Sequence, residues 1–158
     1  MPLKQTIADE LKAAMKARNQ ARLDVLRMAR ARLQEAEVAL RATQGRDYEI
    51  TDEESTRVLS GYAKQRRDSI DAYRAAGRED LAAKEEAELA IVQEFLPRQL
   101  SELEIREIAR EAIASTGAAS AKDMGQVMKA VMPKVQGAAD GKLISRIVNE
   151  LLSKGKTA

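Results

Sequence analysis

"AELAIVQEFLPRQLSELEIREI", residues 87–108, holds a helix end, a stop and a helix start in one stretch. Leu89, Val92 and Leu96 recur three and four residues apart, which puts them on one helical face. Pro97 biases the residue before it away from helix, so the helix is predicted to end there. Ser101 and Glu104 then form a capping box: the serine oxygen accepts from a first-turn amide while the glutamate reaches back to the cap's own N–H. A new helix is predicted from this cap through about Ser115, with Gly117 as its stop. Pro97 is therefore the predicted boundary between an N-terminal subdomain, 1–97, and a C-terminal one, 98–158.

Toward the N-terminus, Leu3, Ile7, Leu11 and Met15 recur every four residues and predict a first helix. Leu26, Ala29, Leu33, Ala36 and Leu40 form the inner face of a second, closed by Gly45. Thr51 and Glu54 make another capping box and open a third, with Leu59, Tyr62, Ile70 and Tyr73 inward and Gly77 as its break. The fourth, "REDLAAKEEAELAIVQEFL" at 78–96, buries Leu81, Leu89, Val92 and Leu96. Past Gly117, a short helix is predicted from about Lys122 to Met132, ending at Pro133. A last one runs from about Gly141 to Ser153 over Leu143, Ile144, Ile147, Val148 and Leu151, followed by a frayed "SKGKTA" tail. The expectation is an all-α, multihelical fold: four longer helices, then a compact three-helix unit.

Composition agrees. Hydrophobic residues make up 44% of the 158 positions but aromatics only 3%, and 33% are charged, a palette that favours packed helices over a sheet. No cysteine or histidine is present, which excludes disulfides, ordinary zinc sites and the usual general base near neutral pH. No phosphate-loop spacing appears. The carboxylates of "KEEAE", 84–88, sit on a face predicted to be wet, where nothing shifts a pKa toward acid–base work. Catalysis by this chain alone, a cofactor and a metal are accordingly not expected. The first residues contain acids and no unbroken apolar run, and no segment approaches the roughly 20 apolar residues that span a bilayer. A cytoplasmic protein without a membrane partner is the expectation.

The net charge of +2 hides an uneven distribution: nine Lys/Arg against three Asp/Glu over 12–46, seven against thirteen over 47–96, and seven against three over 122–156. Basic segments can attract phosphate, but solvated helix faces partly paired with the acidic segment are the plainer reading of any one of them. "DMGQVMKAVMPKVQGAADGK", 123–142, is the most irregular passage. Gly125, inside a predicted helix, costs about 1 kcal/mol relative to alanine, which a close helix–helix approach or a ligand backbone lying against it would explain. Met124, Met128 and Met132 read mainly as core, with a flexible contact surface as the alternative. Lys129, Lys134 and Lys142 cannot be core; they flank a turn bracketed by Gly137 and Gly141, with Asp140 placed to cap the helix that carries Arg146. Such a turn beside a helix N-terminus suits a sugar-phosphate backbone, or it merely connects two helices. In "KQRRDSI", 64–70, Lys64, Arg67 and Asp71 share one face, and Arg66 is in register with Tyr62 and Ile70, so this secondary basic cluster reads more as structure than as ligand site.

These residues resemble the GatB/YqeY family, and its free-standing YqeY-like members in particular. The matching stretches are "LKAAMKAR" at 11–18, "KQRRDSI" at 64–70, "AGREDLAAKEEAELAIVQEFLP" at 76–97 and "DMGQVMKAVMPKVQGAADGKLIS" at 123–145. The resemblance implies an all-helical fold in two subdomains. It extends to the C-terminal tail of the B subunit of tRNA-dependent amidotransferases, where a similar glycine-containing turn helps hold tRNA; here Gly125, Met128, Lys129, Gly137 and 143–149 correspond. Those tails commonly carry Asn-Pro where this chain has Asp140–Gly141. The resemblance thus implies a tRNA-binding accessory protein, with Lys129, Lys134, Lys142, Gly125, Gly137 and Arg146 as contact positions. Alternatives are a module that docks on an aminoacyl-tRNA synthetase or amidotransferase, and a subunit of a carbon–nitrogen ligase using glutamine as amido donor. The chain lacks the large catalytic portion of the amidotransferase subunit, so a ligase label names chemistry these residues do not support alone.

Overall fold

The computed structural model describes residues 1–154, and it is all-helical. Helices α1 (Leu3–Lys16), α2 (Gln20–Gln44), α3 (Asp52–Ala75) and α4 (Glu79–Gln93) belong to one compact unit, Met1–Pro97. Helices α5 (Glu102–Thr116), α6 (Met124–Val135) and α7 (Gly141–Lys154) belong to a second, Arg98–Ala158, with a 3-10 turn at Ala121–Asp123 leading into α6. The predicted "SKGKTA" tail is helical through Ser153 and Lys154; its remainder, 155–158, lies outside the described residues.

The first core is built from aliphatic side chains at helical spacing: Ile7 and Leu11 of α1, Leu26, Ala29 and Leu33 of α2, Leu59 and Tyr62 of α3, Val92 of α4. α1 departs from its predicted stripe. Met15 is 54% exposed, and the small Ala14 is buried in its place. α4 stops at Gln93, earlier than predicted, because Glu94, Phe95 and Leu96 close through bonds to carbonyls three residues back. That tighter turn still buries Leu96, whereas Leu81, Leu89 and Tyr73 are only half-buried.

Both capping boxes form. Thr51 Oγ1 accepts from the Glu54 N–H at 3.2 Å and the Glu54 carboxylate accepts from the Thr51 N–H at 2.9 Å. Ser101 and Glu104 repeat the exchange at 3.2 and 2.8 Å. Glu104 also receives Arg98, and that guanidinium, with the Ser101 amide, holds its carboxyl at about 2 against an ordinary 4.5.

One acid ties the first unit together. Glu37 sits one turn beyond Leu33 on the core side of α2 and is 5% exposed. Its carboxylate accepts from Lys4 Nζ of α1 at 2.7 Å, from Arg41 at 2.8 Å and from the Ile50 N–H at 3.1 Å, fixing the loop that enters α3. The Lys4 bond first, and the Ile50 amide second, lower its pKa against the opposing effect of burial. A depressed folded-state pKa adds stability above the ordinary 4.5, lost as pH falls through the lower folded value. Glu37→Ala should lower the unfolding free energy by about 1 to 2 kcal/mol at pH 7 in urea denaturation, since it leaves the buried Ile50 amide without its acceptor while the half-exposed Lys4 and Arg41 turn to water. The difference from wild type should shrink as pH drops below the ordinary 4.5; a loss no larger than that from Arg30→Ala, on the exposed side of the same helix, would contradict the assignment.

Candidate nucleic-acid interface

The second unit forms around Ile105, Ala109 and Ala112 of α5, Val127, Val131 and Val135 of α6, and Ile144, Ile147, Val148 and Leu152 of α7. The valines, not the methionines, make the buried stripe of α6. Met124 and Met128 pack at its margin, and Met132 is 40% exposed. Both sets recur every four residues, and the shorter β-branched chain permits the closer approach to α5 and α7. α6 also continues past Pro133 to Val135 rather than ending there. This close to the helix end, the ring removes a single amide bond, to the Lys129 carbonyl, and burying Val135 below Val127 and Val131 offsets it. In α7, Leu152 is buried while Leu143 and Leu151 are half-buried.

The turn after α6 is held from outside. Gly137 adopts φ +76°, its carbonyl accepts from Gln99 Nε2 at 2.9 Å, and the Ala138 carbonyl accepts from the Leu100 N–H at 2.8 Å. Gly137 is buried, so its part is conformational; a positive φ is where glycine is needed. Asp140 caps α7: its carboxylate accepts from the Lys142 N–H at 3.3 Å and its carbonyl from the Ile144 N–H at 3.1 Å. The α7 N-terminus therefore already carries a carboxylate of its own chain.

Gly125 is not at a helix crossing. It is exposed on the first turn of α6, and a Cβ added there would meet nothing within 4 Å. The expectation of close helix packing at this glycine is overturned. One turn on, Lys129 is exposed in the middle of the outward face of α6. Lys134, five residues later, lies about 140° around the axis at 100° per residue, at the edge leading into the turn. Neither lysine has an ion-pair partner among the described residues. Nor does Lys122, an exposed lysine two turns before Lys129 that the sequence reading left aside. Lys142 is exposed but not free. Arg146, one turn after Lys142 on α7, is ion-paired, within 3.4 Å of Glu102 and 3.5 Å of Glu150, and both glutamates also hold Arg106, at 3.0 and 2.8 Å. That arrangement joins α5 to α7.

The secondary cluster is committed to the first unit. Arg66 lies 5.1 Å from the Tyr62 ring centroid and reaches Glu85 at 2.7 Å and Glu88 at 3.2 Å, clamping α3 to α4. Lys64 pairs with Asp68 at 3.0 Å rather than within the expected set with Asp71, and Arg67 is not free either. The second unit contains no aromatic residue, which leaves cations and backbone for any nucleic acid and no stacking platform. A cleft of about 230 Å³ between α1 and α2 is lined by Lys4, Gln5, Arg30, Gln34 and Glu49, without a paired carboxylate. Among the described residues no acidic cluster could hold a metal ion, and no helix is long and apolar enough to cross a membrane.

The family model for Yqey-like proteins matches residues 4–152. The chain belongs to the YqeY-like family. Among curated proteins, "Altered inheritance of mitochondria protein 41, mitochondrial" of Pyrenophora tritici-repentis is 28% identical over 147 residues, 90% of this chain and 77% of that protein. The protein of the same name in Saccharomyces cerevisiae (strain YJM789) is 30% identical over 87 residues, 55% of this chain. That match spans 44% of the yeast protein's length. The YqeY-like match thus covers α1 to most of α7, including both the first core and the α6 turn.

The two glycines separate by geometry. Gly137→Ala should lower the stability of the second unit by about 1 kcal/mol or more, because alanine resists positive φ. Gly125→Ala should raise it by up to about 1 kcal/mol, as helix propensity is gained in open space. Thermal denaturation followed by circular dichroism distinguishes them, and equal losses at both positions would contradict the arrangement.

Proposed function

We propose that this YqeY-like protein is a non-catalytic accessory protein that binds tRNA through the outward face of α6 and the following turn. One observation carries the reading: Lys129 stands exposed and unpaired on that face, one turn after a glycine whose surroundings are open. With helix packing removed as the reason for Gly125, its open surroundings leave room for a ligand's backbone to approach. Lys134 and Lys122 extend the cationic surface, and Lys142 lies just past the turn held by Gln99 and Leu100. The similarity of this passage to the amidotransferase tail directs the reading to tRNA. The lack of aromatics in the second unit restricts recognition to phosphate and shape, which favours a structured surface such as the tRNA elbow over a free strand.

A second reading, docking on an aminoacyl-tRNA synthetase or amidotransferase, draws on exposed Leu103 and Met132, at 76% and 40%. Salt separates the two, because phosphate contacts release counterions and an apolar surface does not. Labelled bulk tRNA should bind the intact chain with an affinity that falls steeply between about 50 and 200 mM salt. Changing Lys129, Lys134 and Lys142 to alanine should reduce the slope of log K against log salt by about 2 to 3, with helicity unchanged. Absence of binding by the intact chain, or an unchanged slope in the folded variant, overturns the proposal.

A further inference from the structure

α2 turns one face to the first core and leaves the opposite face bare. Along that face Asp24, Met28, Ala31, Glu35, Val38 and Ala42 alternate three and four residues apart, the spacing of a helix–helix seam. All six are exposed, Met28 at 46% and Val38 at 64%. Ala31, Gln34, Glu35, Val38 and Ala39 line a shallow depression at its middle.

Two charges beside this seam are not among those that pair within the described residues. Arg22, Arg41 and Arg66 are each taken up by glutamates. Arg32 and Glu35 are three apart on one helix, yet neither has an ion-pair partner among the described residues. The Arg32 guanidinium carbon lies 4.7 Å from the Tyr62 ring centroid, and its Nε is buried with no acceptor. Stacking thus holds a half-buried cation beside the seam, without an ion-pair partner of its own among the described residues.

We infer that a second copy of this chain docks here, α2 against α2, antiparallel about a two-fold axis. The seam is self-complementary under that operation: Met28 meets Val38 of the other copy, Ala31 meets Glu35, and Asp24 meets Ala42. In this register Arg32 of one copy stands level with Gln34 of the other, one residue or about 1.5 Å of rise from Glu35, so its long side chain reaches that carboxylate on the same edge, and the two-fold forms the pair twice. A parallel pairing would instead oppose Glu35 to Glu35 and Arg32 to Arg32. The alanines let the helices approach, and the 25 residues of α2 supply about 37 Å of length at 1.5 Å per residue. On the other edge Arg27 comes near Arg41 of the second copy, a like-charge approach that limits affinity, although Arg41 is already neutralised by Glu37. A seam bearing both an unpaired acid and an unpaired base in matching register fits its own copy better than an acidic or basic peptide.

The test is molar mass by light scattering, from about 5 to about 200 µM, a range that brackets a micromolar dimer. The wild-type chain should move from monomer to dimer. Glu35→Arg, which sets arginine against Arg32, should raise the dissociation constant more than about tenfold with unchanged helicity. Orientation is read separately, since the chain has no cysteine of its own. Met28→Cys chains mixed with Val38→Cys chains should cross-link to each other under mild oxidation, while neither links to itself. A wild-type chain monomeric throughout, a dimer that Glu35→Arg leaves intact, or self-linking of Met28→Cys would each overturn the inference.

Discussion

Everything in this protein follows from having to build cores almost without aromatic rings. A core of Leu, Ile, Val and Ala gains its stability from many small contacts, so helices must come close and register must be tight. The first unit meets that requirement with four helices, the second with three whose facing positions are almost all β-branched or alanine. Alanine at 14, 29, 63, 82, 109 and 112 sits where helices touch. Small inward residues leave the long charged chains to the outside, where several arginines pair with glutamates of neighbouring helices.

That division of labour shapes what the surface can do. Arg22 joins α2 to Glu10 and Glu94, Arg66 joins α3 to α4, and Arg106 joins α5 to α7. An arginine held in this way positions helices and offers little to a ligand. Among the cations without an ion-pair partner in the described residues, two kinds bear on binding. Lys122, Lys129 and Lys134 are flexible point charges on the exposed side of the second unit, suited to phosphate. Arg32 is a stacked, half-buried guanidinium on α2, suited to a fixed acceptor.

Much of this was legible in the sequence. The helices, the Thr51–Glu54 and Ser101–Glu104 boxes and the stop at Gly117 follow from local chemistry that tertiary packing did not override. Other features were decided by packing. Periodicity could not choose between the methionine and valine stripes of α6, or between Ala14 and Met15, because each pair has the same spacing. Pro133 ends a helix only where the lost bond outweighs what lies beyond it, and Val135 lay beyond. Glu37 left a signal that passed unused: an acid one turn after Leu33, in an otherwise apolar register. At the candidate site, lysine exposure could be read from chemistry alone. The Gln99 and Leu100 bonds that hold the turn, the Asp140 carboxylate at the α7 N-terminus and the Glu102 and Glu150 partners of Arg146 are long-range or geometric, and needed the fold.

The proposed interface puts RNA on the α6 face rather than on α2, which carries five arginines of its own. Backbone hydrogen exchange of the full chain, with and without saturating tRNA, tests it most directly, because it reports both regions at once. The proposal predicts slowed exchange confined to 122–146, with α2 and α3 unchanged. Protection concentrated in 20–44, or none anywhere at saturation, would contradict it.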